Sequence, residues 1–150
     1  MYAARQGLTL VSGNARGADK AAQEACLAAG GRVVSFVADA LEKQEIREGI
    51  LYVSEDGFEL PFTAQRAISR NRCIHALGRM VFVAQATLEK GGTWDGTVKN
   101  LRHGMSSVAC FRDGSQASLA LERMGAYLIG MEDLNDLEGL TEENLSFLDR

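Results

Sequence analysis

Two glycine-rich stretches of this chain carry the residue types that bind phosphate groups. The first spans residues 11–19 and follows Leu8, Leu10 and Val11, an apolar run that predicts a β-strand. Alanines recur behind it at helical spacing, so the chain is predicted to turn there from strand to helix. Such a turn presents backbone N–H groups and the positive end of a helix dipole, and glycine lets a ligand approach closely. We therefore predict either an ordinary connection or a phosphate site made by Ser12, Gly13, Asn14, Arg16 and Gly17.

The second stretch, residues 90–97, is a further glycine-rich turn that opens a helix. Thr93 is the predicted N-cap, and the backbone N–H groups of residues 91–95, which include Gly91 and Gly92, can form an anion nest. Trp94 has two interpretations. It is in register with Val98 on an apolar helix face, which favours a core position, but an indole can also stack on a nucleic-acid base.

A predicted helix over residues 63–77 carries most of the remaining candidates. Asn71 falls in the middle of its apolar stripe, where a buried amide needs partners, so we expect it to bond the backbone of a loop. Arg70 and Arg72 lie about 100° to either side of it, where two guanidinium groups can grip phosphates or form a solvated face. His75 is on the apolar side and is predicted to be a half-buried structural residue.

No arrangement of residues predicts catalysis or metal binding. His75 and His103 are the only histidines, and neither has a metal-ligand spacing or a nucleophile partner in the sequence. Cys26, Cys73 and Cys110 are widely spaced in apolar surroundings, which is typical of reduced thiols in a cytoplasmic protein. We expect neither a cofactor nor a metal.

Length and charge bound the classes of protein to which the chain can belong. Its 150 residues are enough for one domain, and neither a membrane-length apolar run nor a signal-peptide core is present. The net charge of −4 argues against a surface that binds nucleic acid generally. However, residues 131–150 hold seven acidic residues and one arginine, so residues 1–130 form a mildly basic body and 131–150 an acidic tail.

The apolar pattern predicts strands that alternate with helices. The strands are predicted at residues 8–11, 32–38, 50–54, 80–86, 107–111 and 126–129, and a short charged helix at 40–48. This order predicts an α/β three-layer sandwich, with a mostly parallel sheet and helices on both faces. Ligands bind such sheets beyond the carboxyl ends of the strands, so loops 12–17, 54–63 and 87–93 are predicted to line one edge.

Three of these stretches resemble motifs of one protein family. Residues 12–19, Ser-Gly-Asn-Ala-Arg-Gly-Ala-Asp, resemble the Ser-Gly-x-Ala-x-Gly-x-Asp motif of the DprA/Smf DNA-processing proteins. Residues 69–77 resemble that family's Arg-Asn-Arg helix, and residues 90–94 are similar to a glycine-rich turn of a DprA-like branch. The resemblance covers roughly residues 7–130 and extends to the Rossmann-like nucleotide-binding superfamily, which also contains the LOG phosphoribohydrolases.

The resemblance implies a Rossmann-like domain that binds nucleotide or single-stranded DNA, in transformation or recombination, as a homodimer and not as an enzyme. By the same resemblance residues 12–17 form the first phosphate loop, Gly91, Gly92 and Thr93 the second, and Arg70 and Arg72 are phosphate clamps. Asn71 and Asp19 support them.

The chain also departs from the family pattern. The family's leading strand, which ends in a Gly-Ser-Arg-type turn, has no counterpart here, and we expect the exposed sheet edge to promote self-association. The acidic tail does not resemble the family's winged-helix module. Its leucines 134, 137, 145 and 148 are expected to pack on a neighbouring subunit or on the body, unless the terminus is solvated. Thr141 is a candidate cap for a short final helix.

Two other functions stay open. A LOG-type enzyme would cleave the glycosidic bond of a nucleoside monophosphate, but its Pro-Gly-Gly-x-Gly-Thr motif and following Glu are not matched, and Glu89 and Asp95 are the only nearby acids. The third possibility is a sensor of a nucleotide-derived signal.

Overall fold

Short strands and helices alternate in the computed structural model, which describes residues 2–137 and residue 139. The strands are β1 (Thr9–Ser12), β2 (Arg32–Phe36), β3 (Ile50–Val53), β4 (Met80–Val83), β5 (Ser107–Phe111) and β6 (Tyr127–Ile129). The α-helices are α1 (Tyr2–Arg5), α2 (Ala18–Ala28), α3 (Ala64–Leu77), α4 (Gly91–His103) and α5 (Gln116–Arg123). The predicted α/β class is confirmed, and each predicted strand is present: β1 is shifted by one residue, β5 has the predicted bounds, and the other four are one to three residues shorter.

The strands are hydrogen-bonded as two parallel sheets rather than as one. The first sheet has the order β1-β2-β3, and the second has the order β4-β5-β6. All four pairings are parallel, with Val34 opposite both Val11 and Leu51 in the first sheet, and Val108 opposite Val81 in the second. Among the described residues no pairing joins a strand of the first sheet to a strand of the second, so the expected continuous sheet is divided into two.

Each sheet has its own buried centre. In the second sheet Val83, Val108 and Cys110 pack with Val98 of α4 and Leu121 of α5, and Trp94 packs against this cluster. The core interpretation of Trp94 therefore agrees with its contacts. In the first sheet Val33 and Phe36 are buried together with Cys26 of α2. The middle strands β2 and β5 are the most deeply buried of their sheets, whereas β1 and β4 are largely half exposed.

Helix α3 begins at an ordered loop that follows β3. The Thr63 hydroxyl caps the helix by accepting the N–H of Arg66 at 3.0 Å. The Arg66 guanidinium then donates to the carbonyls of Ala38 at 3.0 Å, Leu60 at 2.6 Å and Pro61 at 2.9 Å. Arg66 thus holds the 54–63 loop against the end of the first sheet. The sequence pattern did not predict this role.

The predicted helix at residues 40–48 is wrong. Only Leu41–Lys43 form a single 3-10 turn, after which Gln44 is extended. The side chain of Gln44 bonds the Ala40 carbonyl at 2.9 Å, and Ile46 is 96% exposed, so the segment has no apolar face to bury. An isolated helix this short is marginal without packing, and here nothing offsets the cost of forming it.

The chain beyond β6 is described only in part. A 3-10 turn spans Glu132–Asn135, and Arg112 lies 3.4 Å from the Glu132 carboxylate. Thr141, Leu145 and Leu148, with the acidic residues after 137, lie outside the described residues, so the expectation for the tail stays a prediction. No helix in the described ranges is long and apolar enough to cross a membrane.

A buried polar network holds α3 against α4 and the start of β5. The amide of Asn100 donates to Nδ1 of His75 at 3.0 Å and to the Ser106 hydroxyl at 2.9 Å. The Ser106 hydroxyl donates to the backbone carbonyl of His75 at 3.0 Å, and the Ser106 N–H donates to the side-chain Oδ1 of Asn100 at 2.9 Å. Nδ1 of His75 must be unprotonated to accept the amide, so the network requires a neutral imidazole. His75 has hydrogen-bond partners inside the fold, as the sequence predicted, but it is buried rather than half buried.

The network should make the stability of the fold depend on pH. Burial lowers the pKa of His75 below its ordinary value of 6.5. The unfolded chain therefore binds more protons between the two pKa values, and the free energy of unfolding falls as the pH drops below about 6.5. We expect the urea midpoint to fall between pH 7.5 and 5.5, and to fall less in His75→Gln. The exposed His103→Gln is the control, and an equal fall in all three proteins would contradict the prediction.

Candidate functional site

The first glycine-rich turn is shaped by its own helix. Oδ2 of Asp19, in the first turn of α2, accepts the N–H of Gly13 at 3.0 Å and the N–H of Ala15 at 3.2 Å. We had expected these N–H groups to be free to bind a phosphate. In the structure the carboxylate of Asp19 accepts both of them instead. Asn14 and Gly17 have φ angles of 58° and 91°, which turn the chain sharply into α2. Asp19 therefore supports the turn, and Arg16 and Gly17 form its exposed outer part.

The side chain of Ser12 faces the protein interior. Ser12 is buried, and its hydroxyl accepts a hydrogen bond from Nε2 of Gln23 in α2. The same amide group lies 3.2 Å from the hydroxyl of Ser35 in β2. Gln23 was not singled out in the sequence, although it is a polar residue within the alanine stripe of α2, which was the available signal. The three side chains tie α2 to the ends of β1 and β2.

Arg70 is buried. The sequence had predicted that its guanidinium lies beside the packed face of the helix and is available to a phosphate, and this is wrong. Nη1 of Arg70 donates to the carbonyl of Gly13 and, at 2.7 Å, to the carbonyl of Phe36. The side chain is 6% exposed, and burial lowers the pKa of its guanidinium, an effect that the carboxylates of Asp19 and Glu55 oppose. A positively charged donor from α3 therefore satisfies carbonyls at the ends of β1 and β2. The Arg70 side chain therefore fixes the first turn by bonding the backbone carbonyl of Gly13.

Asn71, the next residue, contacts the second glycine-rich turn. A Cβ atom added at Gly92 would lie 2.8 Å from Nδ2 of Asn71, and one added at Gly96 would lie 3.3 Å from its Cβ. Glycine at these positions lets α4 approach α3 this closely. The expected bond from Asn71 to loop backbone is absent within the described part of the chain, where its amide makes no hydrogen bond. The half-buried amide of Asn71 therefore lies beside Gly92 without a hydrogen bond to any described residue.

The second turn leads directly into α4, which begins three residues earlier than expected. The predicted N-cap Thr93 is wrong, since Lys90 occupies the N-cap position and makes no side-chain capping bond. Gly91 has a φ angle of 81°, which allows the chain to enter the helix there, and Thr93 lies in its first turn. The first N–H groups of a helix have no intrahelical acceptor, so this uncapped end is a potential anion site. A cavity of about 280 Å³ lies over it, lined by Gln85, Ala86, Thr87, Lys90, Gly91, Gly92 and Thr93.

The middle of α3 brings the two turns together. Arg70 bonds the first turn at Gly13, and the adjacent Asn71 touches the second turn at Gly92. Arg72 lies on a different side of α3, where it is exposed and 3.3 Å from the hydroxyl of Ser69, which itself donates to the Glu55 carboxylate at 2.8 Å. The arrangement offers an uncapped helix end, a free amide and a fixed turn at one edge, and it can hold an anionic backbone. No cluster of metal-ligating side chains occurs among residues 2–137 and 139.

Comparison with known proteins gives consistent matches. The family model described as DNA recombination-mediator protein A matches residues 1–133. The structure is similar to that of DNA processing protein A from Streptococcus pneumoniae, with a TM-score of 0.75 and 27% identity over 91% of this chain and 54% of that one. It is also similar to DNA processing protein A from Helicobacter pylori, which is described for its single-stranded DNA binding mode. That match has a TM-score of 0.75 and 19% identity, and it covers 95% of this chain and 69% of the Helicobacter chain. A search of curated proteins found no significant match. The chain therefore spans about half the length of the pneumococcal protein.

Proposed function

The chain belongs to the DNA recombination-mediator protein A family, and on that basis we propose that it binds single-stranded DNA during DNA processing, in recombination or transformation. The observation that carries this proposal is the meeting of the two glycine-rich turns at adjacent residues of α3, Arg70 and Asn71. The Helicobacter protein, similar in fold, is described as binding single-stranded DNA.

The uncapped start of α4 is the proposed phosphate site. The first N–H groups of α4, the amide of Asn71 and the exposed Lys90 all border the cavity or its edge. A phosphate placed there gains hydrogen bonds from donors that the protein leaves unused, and it meets the positive end of the helix dipole. The burial of Arg70 changes its proposed role from a phosphate clamp to a residue that positions the first turn.

Exposed basic side chains near the turns favour a strand over a single nucleotide. Arg16 lies in the first turn, Lys20 in the first turn of α2, and Lys90 at the start of α4, and all three are exposed. A polynucleotide has a phosphate at every residue and can contact several such groups at once, whereas a mononucleotide contacts one. Arg72 is a weaker candidate clamp, because it is next to the Glu55–Ser69 pair.

A binding comparison tests the proposal directly. Fluorescence anisotropy with a labelled 20-mer of thymidylate, at 50 and 200 mM salt, should give an affinity that weakens steeply with salt. Competition by AMP should require far higher concentrations than competition by unlabelled strand. Equal competition per molecule would favour the nucleotide sensor, and release of free adenine from AMP would favour the LOG-type enzyme. Absence of strand binding at 50 mM salt would reject the proposal.

Neutralising Lys90 should weaken strand binding through charge. We expect Lys90→Gln to lower the affinity for the 20-mer about threefold to tenfold at low salt and to reduce the salt slope by about 1, since one phosphate contact is lost. Lys99→Gln is the matched control, because Lys99 lies on the same helix but is paired with Asp95 at 2.7 Å. Equal effects of the two variants would mean that only net charge matters.

We also propose that the protein is a cytoplasmic homodimer. The unpaired edges of β1 and β4 can pair with other strands, and Leu51, Leu77 and Phe82 are exposed by 61%, 60% and 44%. The free thiols of Cys26, Cys73 and Cys110 are consistent with a reducing compartment. Light scattering on the purified chain should give twice the mass of one chain, and a monomer at micromolar concentration would reject the dimer.

A further inference from the structure

A second cavity, of about 180 Å³, lies beside the first turn, and we call it the amide cavity. Three side-chain amides line it, those of Asn14 in the turn, Gln23 in α2 and Gln44 in the segment before β3, and Tyr52 of β3 adds an aromatic ring. Nδ2 of Asn14 lies 3.5 Å from Oε1 of Gln44, so these two side chains meet. The cavity is therefore rich in groups that both donate and accept hydrogen bonds.

The amide of Gln23 is only half used by the protein. The residue is 5% exposed, and its Nε2 is bonded to the hydroxyls of Ser12 and Ser35. Its Oε1 accepts no hydrogen bond within residues 2–137 and 139. No buried side-chain nitrogen or oxygen of the described residues lacks a partner, so this oxygen keeps some exposed surface. Gln23 lines the amide cavity, and we take this cavity as the space through which a ligand reaches the oxygen.

The charges around the amide cavity balance. Lys20 and Arg47 line it together with Glu24 and Glu45, so its formal charge is zero. A cavity that selected phosphate would hold an excess of basic groups or free helix N–H groups, as the start of α4 does. A neutral space lined by amides and one aromatic ring instead suits a flat, uncharged group with donors and acceptors along its edge. Nucleobases have this chemistry, and glutamine and asparagine are frequent partners of their edges.

We propose that the amide cavity receives a base of the bound strand, and that it favours bases with an exocyclic amino group. The inference rests on the proposed function. Oε1 of Gln23 accepts the amino group, and the amides of Asn14 and Gln44 supply the remaining edge contacts. Thymine has a carbonyl where cytosine has its amino group, so it cannot satisfy Gln23 at this position. Asn14 belongs to both the first turn and the cavity, which places the base next to the phosphate-binding edge.

Binding of 20-mers of deoxycytidylate and thymidylate, two pyrimidine strands that differ little in size, tests the preference. We expect the wild type to bind the cytosine strand at least threefold more tightly at the same salt. Gln23→Met should abolish that ratio, and Gln44→Ala, which does not disturb the buried bonds to Ser12 and Ser35, should reduce it. Gln65→Ala, an exposed glutamine on α3, should leave the ratio unchanged. Equal binding of the two strands by the wild type, or an unchanged ratio in Gln44→Ala together with a folded Gln23→Met, would overturn the inference.

A phosphate-free ligand separates the failure of this inference from that of the proposed function. Deoxycytidine titrated into ¹⁵N-labelled protein should shift the side-chain amide signals of Gln23 and Gln44, and thymidine should shift them less. If neither strand binds, the proposed function fails, and the nucleoside titration still decides whether the cavity accepts a base. If the strands bind but deoxycytidine and thymidine leave both amide signals unchanged, the base site fails while the proposed function stands.

Discussion

Replacing Arg70 by alanine should lower the free energy of unfolding by about 3 kcal/mol, more than any other single change near the site. The guanidinium donates to the carbonyls of Gly13 and Phe36, and the variant removes this donor from both acceptors. Hydrogen bonds from a charged donor typically contribute about 1.5–3 kcal/mol each, and part of the loss is recovered when water enters the space. Urea unfolding followed by circular dichroism measures the change.

Arg72→Ala is the matched control for this prediction. Arg72 is two residues away on the same helix and is exposed, and within residues 2–137 and 139 its one hydrogen bond goes to the Ser69 hydroxyl at 3.3 Å. Its loss should change the free energy of unfolding by no more than about 0.5 kcal/mol. Equal destabilisation by the two variants would show that the buried carbonyls do not depend on Arg70. Arg70→Lys should recover part of the stability, because an ammonium group can reach one of the two carbonyls.

Asn71→Ala should have the opposite profile, with weaker strand binding and nearly unchanged stability. The amide of Asn71 makes no hydrogen bond within the described residues and lies beside Gly92, so folding loses little when it is removed. In the proposed complex it donates to a phosphate, and the loss of such a bond is worth about 1.5 kcal/mol, or roughly a tenfold loss of affinity. Anisotropy with the labelled 20-mer and urea unfolding of the same preparation measure the two effects.

Two further variants make the result on Asn71 specific. Asn71→Asp places a negative charge beside the proposed phosphate and should weaken binding more than Asn71→Ala does. Gln65→Ala removes an exposed amide from the same helix and should not change the affinity. An unchanged affinity in both Asn71 variants at low salt would remove this residue from the binding site and leave the start of α4 without its proposed partner.

Local pattern was enough to predict most of the fold. Apolar runs and alanine spacing predicted the six strands and the positions of both turns, because these features depend on residues close together in the chain. The parallel pairing was also predictable from the alternation of strands and helices. The division into two sheets was not, since which edges pair depends on contacts between distant segments.

The sequence placed the candidate residues on their helices and turns, but it did not predict the contacts that their side chains make. Helical geometry placed Asn71 in the apolar stripe and Arg70 on its flank, and the structure buries Arg70 and leaves the Asn71 amide unengaged. The reason is that the acceptors of Arg70, at Gly13 and Phe36, lie 57 and 34 residues away, where no local pattern can place them. The carboxylate of Asp19 that fills the first turn was, by contrast, only four to six residues from its partners and within reach of an Asx-type argument.

The position of α3 between the two sheets has a consequence for cooperativity. Its Arg70 is bonded to the ends of β1 and β2, and its His75 is bonded to Asn100 of α4, which packs on the second sheet. The helix therefore cannot open locally without breaking buried contacts on both sides. In native-state hydrogen exchange, backbone amides at the centre of α3 should exchange only through global unfolding, whereas those of α5, which packs on β5 and β6 of the second sheet, should exchange through smaller openings. One helix thus joins two separately hydrogen-bonded sheets into a single unfolding unit.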